Sequence, residues 1–196
     1  MRNTKNNATS IINDYGNVVY YKDFISAEKS DFLFNHFQST IDWKQYPITL
    51  FGKTFLQPRL VAWYGDQGTS YRYSQTTLLA SGWTEELLAI KTQLKEAFQL
   101  DFNGVLMNLY RDGQDSMGWH SDDETSLGIQ PAIASISLGT ARTMQFRQSN
   151  NHKEKASCLL ESGSLLLMQD DTQHYWQHQI PKRKKIITPR INLNVN

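Results

Sequence analysis

The sequence predicts an α+β protein whose core is a β-sandwich or barrel with helices packed on one side. Three observations carry this expectation. Helical periodicity is confined to the first half of the chain, clearest after Thr84. From Gly104 onward, short strand-like runs alternate with turn residues. In the last run Arg190, Asn192, Asn194 and Asn196 lie on one parity and Ile191, Leu193 and Val195 on the other. Side chains alternate across a strand, so this one carries a polar face and an apolar face.

Taken in order, residues 1–14 are rich in Asn, Thr, Lys and Ser and predict a flexible tail before one domain over 15–196. Residues 17–21 predict a strand. Ser26 is placed to cap a helix to about Phe37, with Phe32, Leu33 and Phe37 on one face. Aromatic stretches between Trp43 and Leu60 break at Pro47, Gly52 and Pro58; residues 60–64 predict a strand and 65–68 a turn. Thr84 is a good N-cap, and Glu85 and Glu86 suit the positive end of the helix dipole. Leu87, Ile90, Leu94, Ala97 and Phe98 follow at helical spacing. Further strands are expected over 105–110, 133–138, 143–146, 157–160, 164–168 and 186–195, the last interrupted by Pro189.

Composition narrows the function classes. With 39% hydrophobic and 20% charged residues, the 196-residue chain has the balance of a folded domain rather than a disordered one. A net charge of +1 gives no broad electrostatic footprint, so nucleic-acid binding must use local patches. The aromatic share of 12% supplies surfaces on which bases can stack. One cysteine, Cys158, excludes an internal disulfide and a multi-cysteine zinc site. It predicts a reducing intracellular compartment, the cytoplasm of a bacterium or the nucleus of a eukaryote. No apolar run approaches the ~20 residues of a membrane span.

The chemistry centres on residues 108–124, where a strand pattern breaks at Asp112-Gly113 and ends in His120-Ser-Asp122. In an extended segment, two residues two apart point the same way. A His and a carboxylate so placed are two thirds of the facial triad that holds non-haem Fe(II). His152, His174 and His178 are candidates for the third ligand, and spacing alone does not choose among them. Arg190 can grip a carboxylate with its planar fork, and Asn108 and Tyr110 share a strand face that offers an amide and a phenol.

Asn108-x-Tyr110, His120-x-Asp122, Trp176-Gln-His178-Gln-Ile-Pro181 and Pro189-Arg190-Ile-Asn192-Leu together resemble the AlkB family of Fe(II)- and 2-oxoglutarate-dependent dioxygenases. The resemblance runs from about Tyr46 to the C-terminus and is greatest to the duplex-acting DNA-repair members. It implies a double-stranded β-helix (jelly-roll) core over about 100–196, and a lid and finger over about 45–75. It implies His120, Asp122 and His178 as iron ligands, with Asn108, Tyr110, Arg190, Asn192, Asn194 and Asn196 around 2-oxoglutarate. Phe51, Gly52 and Lys53 resemble a finger that enters the base stack. Trp63, Tyr71, Arg72 and Tyr73 resemble a nucleotide-recognition lid, and Asp123 a substrate-facing carboxylate. Arg183, Lys184 and Lys185, in a basic run with Lys182, resemble a loop that meets DNA phosphates, and Arg142 is a further candidate contact.

The implied activity is oxidative demethylation of N1-methyladenine, N3-methylcytosine and etheno-type adducts in DNA by a monomer. Fe(II) is the implied cofactor, 2-oxoglutarate and O2 are consumed in the process, and the damaged base is flipped out. An enzyme acting on RNA or single strands, or a binding module with a weakened iron site, are the competing expectations. One position departs from the family pattern: Asn196 stands where a second arginine is usual. This predicts weaker 2-oxoglutarate binding or a substitute cation from elsewhere.

Overall fold

The computed structural model describes residues 7–50, 52–73 and 76–196; the side chains of residues 50, 71–73 and 76–77 lie outside the description. The elements run β1 (Ala8–Ile12), β2 (Asn17–Tyr21), α1 (Ala27–Thr40), β3 (Pro47–Leu50), β4 (Lys53–Leu56), β5 (Leu60–Gly65), β6 (Ser70–Tyr73) and β7 (Thr76–Leu79). Then follow α2 (Glu85–Phe98), β8 (Gly104–Tyr110), β9 (Met117–His120), β10 (Ile133–Gly139), β11 (Arg142–Gln148) and β12 (Lys155–Leu160). The chain closes with β13 (Leu165–Gln169), α3 (Thr172–Tyr175), β14 (Trp176–Ile180) and β15 (Arg190–Val195).

Two antiparallel sheets face each other in the jelly-roll manner. The larger has the order β1-β2-β13-β10-β15-β8-β5 and the smaller β12-β11-β14-β9. Strand parity divides the core between two layers. Val105, Met107, Leu109, Ile191, Leu193 and Val195 pack outward against Leu33 and Phe37 of α1 and Leu87, Ile90 and Leu94 of α2. On the inner side Tyr110, Ile133, Leu166 and Met168 meet Met144, Phe146, Leu160, Trp176 and Ile180 of the smaller sheet. Both expected caps are formed: Ser26 accepts from the Lys29 N–H and Thr84 from the Leu87 N–H. α1 runs three residues past Phe37, to Thr40.

Three features differ from the sequence reading. Residues 8–12, expected as tail, form edge strand β1 on β2. Their polar sequence hides this because only Ile12 is buried. The strand expected over 186–195 begins at Arg190, and the residues before it form a loop. β14 was read only as a motif, yet Trp176, His178 and Ile180 are buried in strict alternation with Gln177 and Gln179.

Two hairpins stand beside the sandwich. β3 and β4 pair with Leu50 opposite Lys53. Gly52 holds φ +74 there, a left-handed value that favours glycine. β6 pairs with β7, and Leu78 packs with Val61, Trp63 and Leu106 beneath that second hairpin.

Candidate active site

The register of the sheets assembles the site. β15 pairs with β8 so that Arg190 lies opposite Tyr110 and Asn192 opposite Asn108, all four on the inner face. Across the sandwich β14 pairs with β9, setting His178 opposite His120, and the rings lie 4.2 Å apart between centroids. Asp122 follows two residues past His120, beyond the strand end, and folds back between the histidines. Its Oδ1 lies 3.7 Å from His120 Nε2 and its Oδ2 3.5 Å from His178 Nε2.

One ligand atom from each of His120, Asp122 and His178 lies within 4.8 Å of the others. Two imidazoles and a carboxylate converging from one side form the donor set that suits non-haem Fe(II) and leaves coordination positions open. The local chemistry fits a cation. Asp122 Oδ2 and His178 Nδ1 are buried without a hydrogen-bond partner among the described residues. His120 Nδ1 lies 2.9 Å from the Gly118 carbonyl; a proton donated there leaves Nε2 as the ligand atom. Burial, reinforced by His120, holds the His178 imidazole well below its ordinary pKa, so it is neutral and able to coordinate near pH 7. Burial raises the Asp122 carboxyl above its ordinary range, while His120 and Arg59 act in the opposite sense. A metal must displace any proton Asp122 carries, so metal binding weakens as pH falls through that raised value.

Two hydrogen bonds position the Asp122 loop. Gln173, 4% exposed, accepts from the Asp122 N–H through Oε1 at 2.9 Å. Ser121 Oγ donates to the Trp176 carbonyl at 3.1 Å, two residues before His178. Together they fix one ligand-bearing segment on the other. Gln173→Ala is expected to weaken Mn(II) binding about tenfold, the low end for loss of an outer partner. Isothermal titration of the apoprotein checks this, and an unchanged Kd contradicts it.

Asn108, Tyr110, Asn192 and Asn194 line the cavity that the triad closes, with Arg59 and apolar Leu106, Met117, Met144 and Ile180. Its volume is about 30 Å³. Arg190 is 1% exposed, its Cζ 5.2 Å from the Tyr110 ring centroid. Nη2 donates to Ser137 Oγ, while Nε and Nη1 have no partner among the described residues. Burial lowers its pKa to about 10, and it stays cationic at neutral pH.

Other expected residues lie elsewhere. Asn196 lines a separate cavity with Asn103 and Ser126, its backbone bonded to Gly104, so it does not reach the metal cavity. Arg142 is not a phosphate contact. It is 2% exposed, and its guanidinium donates to the carbonyls of Asp112, Asp115 and Pro181. Trp63 is 7% exposed and packs with Val61, Leu78 and Leu106 rather than presenting an open stacking face. Asp123 is exposed and lines a neighbouring cavity with Ser121, Gln173 and His174. His174, on α3, is exposed and outside the triad. Gly52 and Lys53 are exposed at the first hairpin, whereas Phe51 lies outside the described residues. Tyr71, Arg72 and Tyr73 lie on β6, their side chains outside the description. The sequence reading missed Gln173 and the place of Arg59 in the cavity. A lone arginine entering the apolar run 60–64 was the available signal for the latter.

The basic loop docks beside the ligand strand. Arg183 N–H donates to the Gly113 carbonyl, Gly113 N–H to the Ile186 carbonyl, and Ser116 N–H to the Pro58 carbonyl. The 111–116 turn therefore joins the basic loop, the base of the first hairpin and β9. Arg111 and Asp115 clamp this turn through paired bonds of 2.8 and 2.9 Å. Only glycine fits at 113, where an added Cβ would lie 1.8 Å from the Arg183 carbonyl oxygen. Residues 182–185 are all exposed.

Comparisons with known proteins agree with this geometry. The 2OG-Fe(II) oxygenase superfamily profile matches residues 17–195. The chain is 37% identical over 185 residues to alpha-ketoglutarate-dependent dioxygenase alkB homolog 3 of Mus musculus, covering 90% of this chain and 64% of that protein. It is 39% identical over 153 residues to DNA oxidative demethylase ALKBH2 of Bos taurus, covering 74% of this chain and 55% of that protein. The chain thus spans about three fifths of the length of these relatives. The solved structure of OsALKBH1 shares the fold, with a TM-score of 0.67 at 15% identity, covering 91% of this chain and 97% of that one. With a facial triad closed by the pairing of β9 and β14 and a profile match across nearly its whole length, the chain belongs to the 2OG-Fe(II) oxygenase superfamily.

Proposed function

We propose that this protein is a DNA oxidative demethylase of the AlkB type. It removes N-linked methyl groups from N1-methyladenine and N3-methylcytosine, accepts etheno adducts, and favours duplex DNA. One observation carries the step from oxygenase to nucleic-acid enzyme. The turn that leads into His120 also seats the exposed basic run 182–185 and the base of an exposed hairpin, an arrangement that supports contact with phosphates beside the metal site.

His120, Asp122 and His178 hold the iron; Asn108, Tyr110, Asn192 and Arg190 receive 2-oxoglutarate. When bound, these groups and O2 supply the oxidation: 2-oxoglutarate becomes succinate and CO2, and the methyl group, once hydroxylated, leaves as formaldehyde. The protein positions the reactants, and Leu106, Met117, Met144 and Ile180 exclude water from around them. A base within a duplex cannot reach a centre between two sheets, so it is flipped, with Phe51 as the wedge that fills its place. Methylation blocks pairing and lowers the energy needed to flip.

The test is incubation with Fe(II), 2-oxoglutarate and N1-methyladenine in duplex DNA, single-stranded DNA or RNA, followed by assay of base reversion. Reversion favouring the duplex, with that preference lost in Phe51→Ala, supports the proposal. Preference for RNA or single strands rejects the duplex assignment, and reversion on no nucleic acid rejects the function.

A further inference from the structure

Arg142 opens β11 and shares its buried face with Met144 and Phe146. Its guanidinium donates to backbone carbonyls on two separate segments. Nη1 reaches the Asp112 carbonyl at 3.1 Å, and Nη2 reaches those of Asp115 at 2.9 Å and Pro181 at 2.8 Å. Asp112 and Asp115 belong to the turn that leads into β9 and His120. Pro181 follows β14, the strand of His178, and directly precedes exposed Lys182, Arg183, Lys184 and Lys185.

Filling space at this position does not call for a charge, and burying one is costly unless charge-assisted bonds offset it. Arginine brings a rigid fork with donors on both terminal nitrogens, so one side chain ties two segments in a fixed relation. The ties converge on one junction. Arg142 holds Asp112 and Pro181, while Gly113, next to Asp112, bonds Arg183 through its carbonyl and Ile186 through its N–H. The basic run is thus anchored at Pro181, Arg183 and Ile186, with its side chains left in solvent. Around the buried guanidinium, Asp115 and Asp112 favour its charge and Arg183 opposes it.

We propose that Arg142 is a positioning residue for the nucleic-acid substrate. It touches no phosphate; it fixes the run 182–185 relative to the two histidine-bearing strands, so that phosphates are held where a base can reach the metal. This rests on the nucleic-acid reading of the site.

The test is binding of a fluorescent N1-methyladenine duplex to the Mn(II)-loaded protein, without 2-oxoglutarate, over a range of salt concentrations. The proteins are the native chain, Arg142→Met, a loop variant with Arg183, Lys184 and Lys185 changed to Ala, and the two combined. Methionine keeps apolar contact with the Tyr110 ring, 5.6 Å from Arg142 Cζ. Each phosphate contact contributes about 0.9 to the slope of log affinity against log salt. Arg142, 2% exposed, makes no such contact, so a change of slope in its variant reports the run 182–185. Arg142→Met is expected to raise the Kd about tenfold and to reduce the slope by about 1, the loss of one phosphate contact. In the loop variant the same substitution is expected to add little, because both changes act through one element. A merely structural role lowers the Tm and leaves the slope at its native value; that result, or full additivity with the loop variant, overturns the proposal. If Arg142→Met does not fold, Arg142→Lys carries the test. It keeps the charge without the fork; a reduced slope supports the role and a native slope overturns it. Absence of salt-dependent binding by the native chain rejects the nucleic-acid reading and this proposal together, whereas native binding unaffected in the Arg142 variants rejects this proposal alone.

Discussion

His178→Ala is expected to raise the Mn(II) Kd by more than about 100-fold and to abolish 2-oxoglutarate turnover. The magnitude follows from comparison with outer partners, whose loss alone weakens metal binding about 10–100-fold; removing a coordinating atom exceeds that. His178 is the ligand best prepared by the fold. It is 2% exposed, its ring lies 6.0 Å from the Phe146 ring, and burial keeps it neutral. Isothermal titration with Mn(II) and succinate release measure the two effects. His174→Ala, four residues away on the exposed side of α3, is the matched control and is expected to leave both near the native values. Equal losses in the two variants contradict the assignment of His178.

Arg190→Met is expected to raise the 2-oxoglutarate Kd by about 100-fold without lowering the stability of the apoprotein. Both parts follow from burial. A guanidinium with two nitrogens unpartnered bears a large desolvation penalty that binding of a carboxylate relieves. Replacing it with an apolar side chain removes that penalty and the binding energy together. The sign with pH is consistent: the folded-state pKa of about 10 lies below the usual 12.5, so folding disfavours the charged form at neutral pH. Thermal melting of the Mn(II)-loaded protein reads both effects. 2-Oxoglutarate at about ten times the native Kd is expected to raise the native Tm and to leave that of Arg190→Met nearly unmoved, since stabilisation follows the ratio of ligand to Kd. A variant markedly less stable than native when ligand-free contradicts this account of Arg190.

Sequence revealed the site where short periodicities carried the information. Alternation in 190–196 marks which side of β15 faces the cavity, and Arg190 and Asn192 lie on that side. The two helix caps were visible because capping is a local interaction. The choice of His178 over His174 was not visible in spacing. It depends on β14 pairing with β9 across 58 positions of chain, His120 to His178. Residue type suggested a surface contact for Arg142, whereas parity pointed the other way. Arg142, Met144 and Phe146 share one face of β11, and the two apolar neighbours mark that face as buried. Gln173 gave no sequence signal, because its partner is a backbone N–H 51 residues earlier.

The proposed demethylation couples oxidation of the co-substrate to removal of a methyl group from a base. Succinate and formaldehyde released from an N1-methyladenine duplex oligonucleotide, with Fe(II), 2-oxoglutarate and O2, measure that coupling in one reaction. The predicted result is equal amounts of the two, each matching the bases restored, and neither in Asp122→Ala. Succinate without formaldehyde, or no turnover of the oligonucleotide by protein carrying one iron per chain, would contradict it.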